Sequence, residues 1–173
     1  MNYKEILFEK EKPLAMITLN RPEVLNAYTP RMGQEIVRAL EEADKDGNVR
    51  VVIVTGAGRA FCSGADRTPR ASRATVPIRR DTMFGPLVRK LMSEFDKPVI
   101  AAINGIVAGG GFSFAMACDI RIASDRARFS QIFVKRGITP DNGSTWLLPD
   151  PQPQELEVAS FSFSSPRTRE NHR

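Results

Sequence analysis

The sequence predicts an α/β fold built on parallel strands. Val51–Val52–Ile53–Val54 and Val99–Ile100–Ala101–Ala102–Ile103 are uncharged apolar runs, rich in β-branched residues, of the kind that forms strands covered on both faces. Between them Met83, Leu87, Leu91 and Phe95 recur at helical spacing. Parallel neighbours need a crossover of this kind, so strand, helix and strand together predict a βαβ-type spiral.

The elements follow in chain order. Leu14 to Leu19 reads as a strand. Thr29 before Pro30 is an N-cap followed by proline at the first helical position, and Met32, Ile36, Leu40 and Ala43 then line one helix face. Gly56–Ala57–Gly58, after the first apolar run, starts like a dinucleotide fingerprint. The third glycine is missing, however, and Arg59–Ala60–Phe61 opens no helix. Residues 67–80 carry Pro69, Pro77 and a cluster of arginines with no clean period, and read as a mobile loop. A helix is expected from Gly111 through Phe112, Ser113, Phe114, Ala115 and Met116, and Asp119 precedes a short strand at Ile120–Arg121–Ile122.

Composition sets wider bounds. The chain has 173 residues with 42% hydrophobic content, enough for one core and one domain, and no run of about 18 apolar residues. The N-terminus lacks the apolar segment of a signal peptide, and a cytoplasmic protein with no membrane association is expected. Cys62 and Cys118 lie in apolar surroundings without a Cys-x-x-Cys spacing and read as buried free thiols. The sole histidine is His172, which argues against a Ser–His–Asp triad or a histidine-based metal site. The net charge of +5 is spread among acids except at Arg67, Arg70, Arg73, Arg79 and Arg80. No aromatics interleave with these arginines, which counts against a nucleic-acid partner. They are a solvated loop or a site for phosphate groups, which guanidinium binds bidentately.

Two further segments carry chemistry. Ala60–Phe61–Cys62–Ser63–Gly64–Ala65–Asp66 and Ile103–Asn104–Gly105–Ile106–Val107–Ala108–Gly109–Gly110–Gly111–Phe112 are β-like runs that end in small residues. Such turns let backbone approach a ligand closely, and two of them can aim their N–H groups at one oxygen, as in an oxyanion hole. Glycines alone fit a tightly packed turn equally well.

With these segments the chain resembles the enoyl-CoA hydratase/isomerase (crotonase) family. The resemblance runs from residue 3 to about 149, through Asn20–Arg21–Pro22 with Asn26–Ala27, Ala60–Asp66, Asn104–Gly111, Ala117–Cys118–Asp119–Ile120–Arg121 and Gly137–Ile138–Thr139–Pro140–Asp141. It implies the ββα superhelix of that family and acyl-CoA thioester chemistry through an enolate, with the coenzyme thioester as substrate and no bound cofactor or metal. It also implies that the N–H groups of Ala65 and Gly110 are the oxyanion donors. Val24 and Leu25 fall where backbone holds the pantetheine arm, and Ala27, Ser63, Gly64, Asp66, Arg67 and Gly109 join the substrate contacts. Of the other carboxylates, Asp66 is expected to shape the turn or touch the ligand and Asp119 to be structural; on this reading the phosphate groups that the arginines from Arg67 to Arg80 would meet, if they are not simply solvated, are those of the coenzyme.

The proton-transfer groups depart from the hydratase pattern. The two glutamates of a typical hydratase align with Ser113 and Phe133. Phenylalanine cannot move a proton, and serine without a base moves one poorly, so hydration by two glutamates is not expected. Asp141, in a Pro–Asp step like that of family isomerases, is the candidate catalytic acid/base. A β-turn at Pro140–Asp141–Asn142–Gly143 is the plainer account of the same residues.

Residues 1–149 are expected to form the acyl-CoA-binding core and residues 150–173 a divergent, disordered tail. The tail has Pro151, Pro153 and Pro166, a serine-rich stretch around Phe161 and Phe163, and no trustworthy period. The family's C-terminal helices have no counterpart there, so a truncated or frame-shifted member is expected. The family implies a homo-oligomer, trimer or hexamer, which the missing helices would weaken. The alternative to an enoyl-CoA isomerase or hydratase-like enzyme is a catalytically defective acyl-CoA-binding remnant.

Overall fold

The structure, a computed structural model, describes residues 2–66, 85–140 and 142–147. Met83, the arginines from Arg67 to Arg80, Asp141 and residues 150–173 lie outside the described residues.

The chain begins with β1 (Ile6–Glu11) and β2 (Leu14–Leu19), paired antiparallel, and continues into helix α1 (Pro30–Lys45). Thr29 caps α1 as its sequence predicts: the residue is extended, and its hydroxyl accepts the Met32 N–H at 3.0 Å. Met32, Ile36, Leu40 and Ala43 are fully buried against the sheet, and burial of a large apolar side chain stabilises by about 1.5–3 kcal/mol.

From there the fold repeats one unit. Strand β3 (Val51–Gly56) joins the first sheet, β4 (Ala60–Cys62) joins a second, and helix α2 (Gly85–Ser93) crosses back. The next turn repeats this with β5 (Val99–Ile103), β6 (Ile106–Ala108) and helix α3 (Gly110–Ala117), and β7 (Ile120–Ala123) and β8 (Arg128–Ser130) begin a third. The first sheet is ordered β1-β2-β3-β5-β7 and the second β4-β6-β8. All pairs except β1–β2 are parallel, which is the predicted ββα spiral. A short helix α4 (Ser144–Leu147) ends the described chain.

One expectation is corrected. Val52 and Val54 are fully buried, but Val51 and Ile53 are only half-buried, so one face of β3 is incompletely covered. The predicted crossover helix ends at Ser93, and Phe95 packs on the core from the loop beyond it. No described helix is long and apolar enough to cross a membrane.

Candidate active site

Parallel pairing in the second sheet brings the two small-residue turns together. Cys62 of β4 pairs with Val107 of β6, and Ala108 of β6 pairs with Ser130 of β8, so the turns after all three strands leave at the same edge. That edge, the carboxyl ends of parallel strands, is where α/β sheets generally bind ligands. The approach is close. A Cβ added to Gly64 would stand 2.9 Å from the Ala108 carbonyl oxygen and 3.6 Å from the Gly110 nitrogen, and Gly64 also has φ of +96°. A Cβ on Gly111 would stand 2.4 Å from the Cys62 carbonyl oxygen, so glycine there is what seats α3 on β4. Phe61 and Phe114 complete that contact, with ring centroids 5.7 Å apart in the core.

Peptide planarity then fixes where the N–H groups point. The Gly64 carbonyl accepts the Tyr28 N–H at 2.8 Å, and Tyr28 accepts the Asp66 N–H at 2.8 Å, a parallel bridge that pairs Tyr28 with Ala65. In a trans peptide the carbonyl and the following N–H point opposite ways, so the Ala65 N–H is aimed away from Tyr28. The same holds across Gly109–Gly110. The Gly109 carbonyl accepts from Phe112 at 2.9 Å and Ser113 at 3.2 Å, along the helix, which turns the Gly110 N–H outward from the N-terminus of α3. Gly109 achieves this at φ of +52° and ψ of −126°, a conformation open essentially to glycine, while the bond from its N–H to Ser130 holds it to β8. Neither Ala65 nor Gly110 donates its N–H to an acceptor among the described residues.

The remaining predicted contacts sit beside this pair. Leu25 and Asn26 are left-handed at φ of +55° and +53°, and the carbonyl of Leu25 accepts the Ser63 N–H at 3.0 Å. Val24 offers its carbonyl to the Ser63 hydroxyl at 3.4 Å. Val24, Leu25, Ala27, Ser63, Gly64, Asp66 and Gly109 are therefore brought into one neighbourhood, with Val24 and Leu25 first of all holding the Ser63 turn. Arg67 lies outside the described residues.

Several supports were missed by sequence reasoning. The carboxamide of Asn26 is fully buried, donates to the carbonyls of Ala57 at 2.9 Å and Ala60 at 2.8 Å, and accepts the Arg21 N–H at 2.9 Å. That of Asn104 donates to Gly56 at 2.8 Å and Gly58 at 2.9 Å. Together they pin the loop leading into β4. Arg21 ties Ala27 to Asp66. The available signal was the Asn20–Arg21–Pro22 and Asn26 motif itself, which marked the place without giving the partners.

A sequence model of the enoyl-CoA hydratase/isomerase family matches residues 9–156. The chain belongs to that family. Two relatives are a 1,2-epoxyphenylacetyl-CoA isomerase of Escherichia coli K12, 41% identical across 83% of this chain and 56% of its own length, and a short-chain-enoyl-CoA hydratase of Clostridium acetobutylicum, 42% identical across 84% and 56%. A solved enoyl-CoA hydratase/isomerase (crotonase) from Legionella pneumophila superposes with a TM-score of 0.75 at 33% identity, over 85% of this chain and 58% of that one. The chain thus spans little more than half the length of the relatives it matches, and the family match continues past Pro149, beyond the end expected from the sequence motifs.

Within this enoyl-CoA hydratase/isomerase chain the two positions that the sequence resemblance matches to the hydratase glutamates are both interior. Ser113 is fully buried on α3, and Phe133 is 4% exposed. The competing carboxylates are committed elsewhere: Asp66 to an ion pair with Arg21 at 2.9 Å, and Asp119 to the Val99 N–H at 2.8 Å, the structural role expected of it. Among the described residues, no three His, Cys, Asp or Glu side chains group as metal ligands.

Cys62 and Cys118 are free and buried, as the sequence predicted, and burial pushes each thiol up to about 12. At pH 8 a thiol reagent is therefore expected to modify neither cysteine until the protein unfolds. Rapid labelling of Cys62 in the native protein would contradict the packing of α3 on β4.

Proposed function

We propose that this chain binds an acyl-CoA thioester and polarises its carbonyl between the N–H groups of Ala65 and Gly110, with Asp141 as the single proton carrier. The observation that supports it most is the pair of peptide planes, each anchored through its carbonyl so that its N–H is turned away from that carbonyl's partners, in two turns that leave the second sheet at one edge. Removing a proton alpha to a thioester carbonyl drives charge onto the oxygen, and two preorganised donors stabilise that charge as it forms. The N-terminus of α3 adds its partial positive charge at the Gly110 donor.

A single carboxylate suits isomerisation. It takes the proton from the carbon alpha to the carbonyl of a 3-enoyl thioester, leaving a dienolate with its charge on the oxygen. It then returns the proton at the far end of the conjugated system, so the double bond moves into conjugation and the carboxylate is regenerated. Hydration needs a water both activated and oriented, which the hydratase glutamates do and Ser113 and Phe133 cannot. Arg67, Arg70, Arg73, Arg79 and Arg80 would meet the phosphates of the coenzyme, and a homo-oligomer belongs to the same reading.

The test is turnover of the purified chain with a 3-enoyl-CoA and a 2-enoyl-CoA under one condition. Isomerisation is expected to outpace hydration. A faster hydratase rate would overturn the single-carboxylate part, and tight thioester binding without turnover of either would make the chain an acyl-CoA-binding remnant.

A further inference from the structure

Arg21 and Asp66 form an ion pair that neither the turn motif nor the reaction requires on its face. The guanidinium is 19% exposed and the carboxylate 4%, so the pair is largely withdrawn from water. One Arg21 nitrogen, Nη2, donates to Asp66 Oδ2 at 2.9 Å, and the other, Nη1, donates to the Ala27 carbonyl at 2.6 Å. Ala27 is the residue before Tyr28, and Asp66 is the residue after Ala65. A single planar fork therefore bridges the two sides of the Tyr28–Ala65 pairing, one step from the peptide whose N–H is aimed away from Tyr28. Glu5 faces the same guanidinium at 3.9 Å from Nε and accepts the Thr29 hydroxyl, which links the fork to the cap of α1.

We propose that Arg21 and Asp66 are positioning residues for the oxyanion donor: their ion pair holds the Ala65 peptide plane in the orientation that turns its N–H onto the thioester carbonyl. This rests on the reading of Ala65 as a donor. The physical reason is that a backbone donor works by being fixed before the charge forms, and the two bonds of the Tyr28 bridge alone leave a half-buried turn free to rock about them. A guanidinium attached to both sides removes that freedom, because its donors keep a fixed angle to each other. A lysine ammonium carries its donors on one nitrogen and lacks that fixed fork.

Three variants test it: Asp66→Asn, Arg21→Lys, and the double replacement Arg21→Met with Asp66→Leu, which leaves no lone charge behind and decides the matter if Asp66→Asn fails to fold. For each, kcat and KM are measured with a 3-enoyl-CoA, and the infrared carbonyl stretch of a bound, carbon-13-labelled thioester is recorded. The expected result is a kcat lowered about 10- to 100-fold, the size of a small misplacement at a preorganised site. KM should stay within about threefold, the carbonyl stretch should return toward its value in water, and Arg21→Lys should fall between wild type and the double variant. A wild-type carbonyl that is not shifted at all overturns the oxyanion reading, and the pair with it. A wild-type shift that the folded double variant retains at unchanged kcat, or a loss carried wholly by KM, overturns the positioning role alone.

Discussion

Replacing Gly110 with proline is expected to reduce turnover by about 10²–10³, the measured scale for loss of one oxyanion donor, and to leave the fold in place. Proline removes the N–H and adds its ring carbons at a buried position, so the fold of the variant is checked before its rate is read. Gly110 is the first residue of α3, where the N–H has no partner within the helix and the fixed φ of proline is already helical. The preceding residue stays glycine, which tolerates the restriction that proline imposes on its neighbour. Phe61 against Phe114 and the seat of Gly111 on Cys62 are untouched, so circular dichroism and melting should match the parent protein. Activity near that of the parent in a folded Gly110→Pro variant would remove the second donor from the account.

Asp141→Asn should lower the rate by about 10²–10⁴, the usual contribution of a positioned acid or base, with little change in thioester binding. The case is one of commitment. Asp66 is bound into the Arg21 fork and Asp119 holds the start of β5, while Ser113 and Phe133, which the family resemblance sets at the places of the hydratase glutamates, are buried and carry no carboxylate. Asparagine keeps the size and the turn-forming capacity of aspartate but cannot take a proton, so the substitution separates the catalytic from the turn reading of Pro140–Asp141–Asn142–Gly143. An unaltered rate would return Asp141 to the turn.

Where a residue's structure follows from neighbours along the chain, the sequence was legible. The Thr29 cap, the apolar face of α1 and the strands at β3 and β5 are local patterns, and each of these elements forms where its residues place it. Strand β1 was not legible, because as an edge strand it buries only Ile6 and shows no alternation, and β8 is three exposed residues with none of the usual signal. The open face of the first sheet was also out of reach, since coverage depends on what packs there and not on the β-branched run itself. At the site, glycine and alanine marked the turns because backbone conformation selects them. Arg21 carried no such mark: its partners are 6 and 45 residues away, and only the pairing of Tyr28 with Ala65 brings them within one guanidinium.

The central claim is that two backbone amides polarise a thioester carbonyl, and the infrared stretch of that carbonyl reads it directly. With a carbon-13-labelled enoyl-CoA bound to the unaltered protein, the stretch is predicted to move to lower frequency than in water, and that displacement should shrink when Gly110 is replaced by proline. A bound thioester whose carbonyl absorbs where it does in water, with or without the Gly110 amide, would contradict the account.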